Sequence, residues 1–143
     1  STYYMGSMSR SWGDWTTGLS YSVLGASQGD ASTGFSTPLA SFRPHNGITN
    51  VFKSRLSSGH SAGLQTLRVS VAHPFLKGHL DASFLLFSSV TDTLDYGQEY
   101  DIIYRYPILG ISEWVSSIGR YESGDDIEIN DTTKVTTGIQ IHL

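Results

Sequence analysis

Three histidines close in sequence, His60, His73 and His79, are the first residues with the makings of chemistry. A zinc site needs its ligands within about 2 Å of one point, and strand spacing achieves that only at matched parity. His73 and His79 flank a turn at Lys77-Gly78 and could approach each other across a hairpin. No further ligand motif accompanies them, so histidines at strand ends are the simpler reading. The run Asp125-Asp126-Ile127-Glu128-Ile129-Asn130-Asp131 carries many oxygens of the kind calcium takes. It has no glycine at the turn and no closing bidentate Glu. Its alternation of Asp126 and Glu128 with Ile127 and Ile129 reads better as a half-exposed strand. Asp92/Asp95 and Glu99/Asp101 are carboxylate pairs of the type a glycosidase uses, but both sit around an inter-strand loop, where acidic residues serve solubility. There is no Gly-x-Ser-x-Gly, so the many serines follow composition and no catalytic triad is expected. No catalytic residue, metal or cofactor is expected from these patterns.

Aromatic residues offer the stronger signal. Trp12 and Trp15, three residues apart in a Gly/Ser-rich segment, lie near Tyr3, Tyr4 and Tyr21. Such platforms stack on sugar rings, which would suit a lectin-like β-sandwich using Trp12, Trp15 or Tyr121. The same side chains also suit an interface core, where aromatics are enriched. On that reading Trp12, Trp15, Tyr21, Phe35 and Phe42 anchor the chain to neighbouring subunits.

Composition narrows the partners. The chain has 143 residues, no cysteine, 9 basic and 13 acidic residues, and only 15% charged residues. Absent cysteine excludes disulfides, thiol nucleophiles and Cys-rich metal centres. Ser1–Lys77 holds six basic and two acidic residues (+4), and Gly78–Leu143 three basic and eleven acidic (−8). Neither half has the dense Lys/Arg run that strong nucleic-acid binding demands. The longest apolar stretch, Phe84–Phe87, is too short for a spanning helix, and residues 1–5 lack a signal-peptide pattern, so no membrane association is expected. The Ser1 start suggests a trimmed chain or release from a precursor.

The elements that must position these residues are strands. Helix formers are scarce, and Gly, Ser and Thr are abundant. Leu67, Val69 and Val71 alternate with polar neighbours, as do Tyr100, Ile102, Tyr104 and Tyr106, and Val135, Ile139, Ile141 and Leu143. Leu80–Phe87 is apolar on both parities and predicts a strand buried on two sides. Ile111–Ile118 fits either a strand or a short helix, and Val51, Phe52 and Leu56 likewise. Residues 1–45 read as an extended arm and loops, with one short strand around Leu19–Val23. Residues 46–143 read as the folded unit, an all-β antiparallel β-sandwich or barrel.

The run Asn46-Gly47-Ile48-Thr49-Asn50-Val51-Phe52 is followed by Ser57-Ser58-Gly59-His60 and the strand Leu64–Val71. After a turn comes Gly78-His79-Leu80-Asp81-Ala82-Ser83-Phe84-Leu85-Leu86-Phe87. This order resembles jelly-roll coat proteins of the picorna-like plant viruses, the secovirus group, over residues 46–143. The resemblance implies a jelly-roll β-sandwich and a structural subunit of an icosahedral shell. It further implies sister capsid subunits as partners, a place in the virion after assembly in the host cytoplasm, and no catalytic residues.

Overall fold

The computed structural model describes residues 3–24, 47–52, 63–91, 94–126 and 129–141. Seven strands follow in chain order: β1 (Tyr3–Trp12), β2 (Trp15–Leu24), β3 (Leu64–Phe75), β4 (Gly78–Ser88), β5 (Asp95–Leu109), β6 (Ser112–Ser123) and β7 (Thr132–Ile141). They form one antiparallel sheet in the same order, each strand paired with its chain neighbours. Contacts run only between consecutive strands, so the described strands make a single layer. The all-β expectation holds. The second sheet that a sandwich needs is not among the described residues.

The strands are long, from 10 to 15 residues, against a typical ~5–6 in globular domains. Their connections alternate in length. At one end lie the two-residue turns Gly13-Asp14, Leu76-Lys77 and Gly110-Ile111. Gly13 at φ 60° leads a turn with the Gly-first geometry of type II′, whereas Leu76 and Lys77, at 45° and 64°, give type I′. The third turn has neither, and the ladder takes up the difference with an irregularity between Pro107 and Leu109. At the opposite end the connections are longer, spanning 25–63, 89–94 and 124–131.

Residues 1–45, expected as an arm, depart from that reading over their first half. Tyr3–Trp12 and Trp15–Leu24 are a hairpin continuous with the sheet, joined to β3 through Thr16–Leu24. Serine and glycine on alternate positions dilute the hydrophobic period of this hairpin, so its alternation is weak in the sequence. Ile111–Ile118, open between helix and strand, lies in the β5–β6 turn and β6. The acidic run, open between a loop and a short strand, has its described residues outside the strands: Asp125 and Asp126 form a turn, and Asp131 accepts the Ser123 amide at 2.9 Å. Ile127 and Glu128 lie outside the described residues.

Gly97 marks where β5 leaves its loop, beside a register shift at Phe87/Ser88. Its φ is +104°, and a Cβ there would meet the Glu122 carbonyl oxygen at 2.2 Å. Because that obstacle is backbone, Gly97→Ala is expected to destabilise the fold by at least ~1–3 kcal/mol. A denaturant titration with midpoint unchanged from the parent would refute this.

Candidate functional site

Residues opposite each other in an antiparallel pair share a face, so the register assigns every strand residue to one side. One side carries Trp12, Trp15, Leu19 and Tyr21 from the first hairpin, then Leu67, Val69 and Val71 from β3. Across the ladder the same side continues with Phe84 and Leu86, Tyr100 and Ile102, Trp114 and Ile118, and Val135 and Ile139. The other side carries Ser7, Ser9, Ser20, Ser70, Ser83 and Ser117, together with the charged Arg68, Asp81, Glu99, Asp101, Arg105, Glu113 and Lys134.

The apolar side is open. Among the described residues, twenty-two large hydrophobic ones are exposed. Setting aside Met5 on the polar side, the turn residues Leu76 and Ile111, and Ile108 and Leu109 at the irregularity, seventeen share this one side. Covering side chains that are about half exposed would contribute on the order of 10–20 kcal/mol, at roughly 1.5–3 kcal/mol per fully buried large side chain. That rivals the whole stability of an ordinary domain. A face of this size is not built to meet water.

The apolar side is also banded. Toward the short turns it ends in aromatics: Trp12, Trp15, Phe75 and Trp114 are 54%, 50%, 50% and 41% exposed. Arg10 lies over the Trp12 ring at 4.9 Å, Trp15 rests on His73 at 4.2 Å, and Tyr104 donates to the Phe75 and Leu76 carbonyls. Toward the long connections the same side turns polar. Tyr21 donates to Gln65, Gln98 donates to Glu122 at 3.0 Å, and Arg120 pairs with Glu122 at 3.1 Å. Between these rims, Leu67 to Phe75 extends about 26 Å along β3, at ~3.3 Å per residue. Hydroxyls inside the band satisfy one another: the Trp114 indole donates to Thr137, which also bonds Ser116.

On the polar side, the extensive packing among the described residues lies at the long-connection end. There Leu24, Leu64, Leu85, Phe87, Tyr96, Tyr121 and Ile129 close around Phe52. Phe52 belongs to no strand. It ends the segment Gly47–Phe52, which crosses the sheet as a strap. The Phe52 ring lies 4.8 Å from Phe87 and meets Tyr121 edge-on at 5.8 Å. Tyr121 is fully buried and donates its hydroxyl to the Tyr96 carbonyl.

The strap is held from beneath by two carboxylates. Glu99 accepts the Thr49 amide at 2.7 Å and the Thr49 hydroxyl at 2.8 Å, and Asp101 accepts the Ile48 amide at 3.1 Å. A turn bond from the Asn50 amide to the Gly47 carbonyl, 3.2 Å, presents those donors together. Two glycines make the fit possible. A Cβ at Gly47 would meet the Glu99 carboxyl carbon at 2.3 Å, and one at Gly119 would meet Asp101 Oδ1 and Ile48 Cβ, each at 2.7 Å. Gly119→Ala should therefore lift the strap while leaving the sheet intact, at a cost of ~1–3 kcal/mol. Faster protease cleavage around residues 47–52, with strand signals unchanged, is the expected readout; cleavage at the parental rate would contradict it. Further toward the short turns, Arg105 and Asp81 form an ion pair at 3.3 Å across β4 and β5.

The candidate residues from sequence redistribute accordingly. Trp12, Trp15 and Tyr21 share the apolar side, the tryptophans at its aromatic rim and Tyr21 toward the opposite end; Phe35 and Phe42 lie outside the described residues. Tyr121 is buried and has no face to offer a sugar. Pro74 pairs with His79, and His73 with Leu80, so His73 and His79 point to opposite sides and cannot share a metal. His60 lies outside the described residues. Among the described residues no cluster of three or more His, Asp or Glu side chains could hold a metal ion. Glu99 and Asp101 do come together, but under the strap and closed to solvent, at 0% and 4% exposure. Asp92 is outside the described residues. The strap was missed because its partners are some 50 residues away in sequence; the Gly-x-Thr-Asn turn at Gly47–Asn50 was its only local signal. No family model, curated protein or solved structure matches the chain.

Proposed function

We propose that the chain forms part of the wall of a membrane-spanning antiparallel β-barrel, with its hydroxyl-rich side lining an aqueous passage and the Gly47–Phe52 strap narrowing that passage. The observation that carries this reading is the two-sided sheet: a predominantly apolar band with an aromatic rim on one side, and a side rich in serine and threonine on the other. No helix among the described residues is long and apolar enough to cross a membrane, but strands cross on a different rule. They need only alternation over about 9–11 residues, because every second side chain faces lipid. Short turns at one end and long connections at the other, with strands of ten residues or more, match that architecture. Tilted by about 40°, the β3 band is about 20 Å high, close to the ~25 Å of such barrels.

A coat subunit is the second reading, because sister subunits in a shell would also cover the exposed apolar side. It calls for a jelly-roll with a second sheet, and for no lipid. One experiment separates the two. The full chain is refolded with lipid vesicles containing brominated acyl chains. Quenching of Trp12, Trp15 and Trp114 emission, with release of entrapped small solutes, is the expected result. Unquenched emission with particle assembly in lipid-free buffer would favour the shell and overturn the barrel.

A further inference from the structure

The two outer edges of the sheet carry information that its faces do not. Seven strands joined by antiparallel steps leave β1 and β7 running in the same direction. Each has one side with no described partner: β1 pairs only with β2, and β7 only with β6. Both edges are long and regular. Ten residues pair without a register shift in each ladder, and neither strand contains proline. Soluble β-proteins blunt edges of this kind with prolines, bulges or several charges. Here β1 has Arg10 alone and β7 has Lys134 alone. On the apolar side, Val135, Ile139 and Ile141 remain 70%, 67% and 60% exposed, and Met8 70%, which leaves room for a neighbour alongside.

We infer that both edges are docking surfaces for further bilayer-spanning β-strands, paired antiparallel, and that an odd number of such strands completes the sheet. The inference rests on the barrel reading above. In hydrocarbon each unpaired N–H or C=O costs several kcal/mol, so no edge of ten residues stays open. Direct closure of β7 onto β1 of a second copy inserted from the same side would be parallel, the less stable ladder. Adding an odd number of strands restores antiparallel pairing at both edges. The partner strand is therefore defined chemically: about ten residues, apolar at every second position to continue Val135, Ile139 and Ile141, and small or hydroxylated between them.

The test uses the full chain in the membranes of the cells that produce it. Amide exchange is followed residue by residue, with β4 as the internal reference for a strand paired on both sides. The expected result is that all amides of β1 and β7 exchange as slowly as those of β4, including the alternate ones that face away from β2 and β6. Rapid exchange of those alternate amides beside a protected β4 would overturn the inference and leave the barrel reading standing. An unprotected β4, together with unquenched tryptophans, would remove the barrel reading itself and the inference with it. The native chain has no cysteine, so a Ser9→Cys, Thr136→Cys variant supplies a second readout. A disulfide joining β1 to β7, within one copy or between two, would overturn the odd strand count; free thiols under oxidation support it.

Discussion

Ile118→Lys is expected to prevent insertion of the sheet into a bilayer, whereas Ser117→Lys, one residue away, leaves insertion within about 1 kcal/mol of the parent. The two positions face opposite sides: Ile118 pairs with Ile102 and Val135, and Ser117 with Ile103 and Thr136. Ile118 lies inside the apolar band and is 44% exposed. A lysine on the lipid face near mid-depth costs about 2–4 kcal/mol, falling toward zero at the interfaces. Ser117 faces the hydroxyl side, where a lysine keeps its hydration. The contrast can be measured by titrating vesicle-inserted against denatured protein in urea. Equal effects at the two positions would mean that the apolar side meets water or another protein in the same way as the polar side. Insertion lost at Ser117 alone would mean that the faces have been assigned to the wrong environments.

Removing the strap's anchor should cost still more. Phe52 is 1% exposed and touches the rings of Phe87, Tyr96 and Tyr121. Phe52→Ala empties the centre of the buried cluster on the polar side, and such truncations cost about 3–5 kcal/mol. Glu99→Ala attacks the other end of the strap by leaving the Thr49 amide and hydroxyl without their acceptor. Burial pushes the Glu99 carboxyl up to about 7, so part of what those hydrogen bonds contribute is offset by no longer burying the group. The effect of Glu99→Ala on stability is thus expected to be smaller than that of Phe52→Ala. Both variants release the same segment, so both should raise solute flux through reconstituted vesicles. If flux falls or stays constant while the strands remain folded, the strap does not narrow a passage. Because the two positions share one segment, the double variant should raise flux little beyond either single one.

Much of the sheet was legible without coordinates. Leu67–Val71, Leu80–Phe87, Tyr100–Tyr106 and Val135–Ile141 alternate with period two, and each lies in a strand. The turn near Lys77 was legible from its neighbours, one residue from its observed place. Leu80–Phe87 was expected to be buried on both sides. Instead Leu85 and Phe87 enter the cluster under the strap, while Leu86, 42% exposed, faces the open side. The strap itself could not be found this way. Glu99, Asp101 and Gly119 acquire their meaning from Ile48 and Thr49, and no local period connects residues so far apart.

The low charge and abundant Gly, Ser and Thr, together with the alternating segments, were enough to establish a β-protein with no visible catalytic or metal motif. Alternation is a local property, since successive side chains on a strand must point to opposite sides. It therefore says which residues share a side of one strand. What it leaves open is whether the apolar sides of seven strands fall together, and whether that common side meets a core or the surroundings. Register decides the first point, because a shift of one residue exchanges the two faces. Packing decides the second. Here the strap and its carboxylates occupy the polar side, no other described element lies on the opposite one, and the apolar residues of the alternating strands are left facing outward.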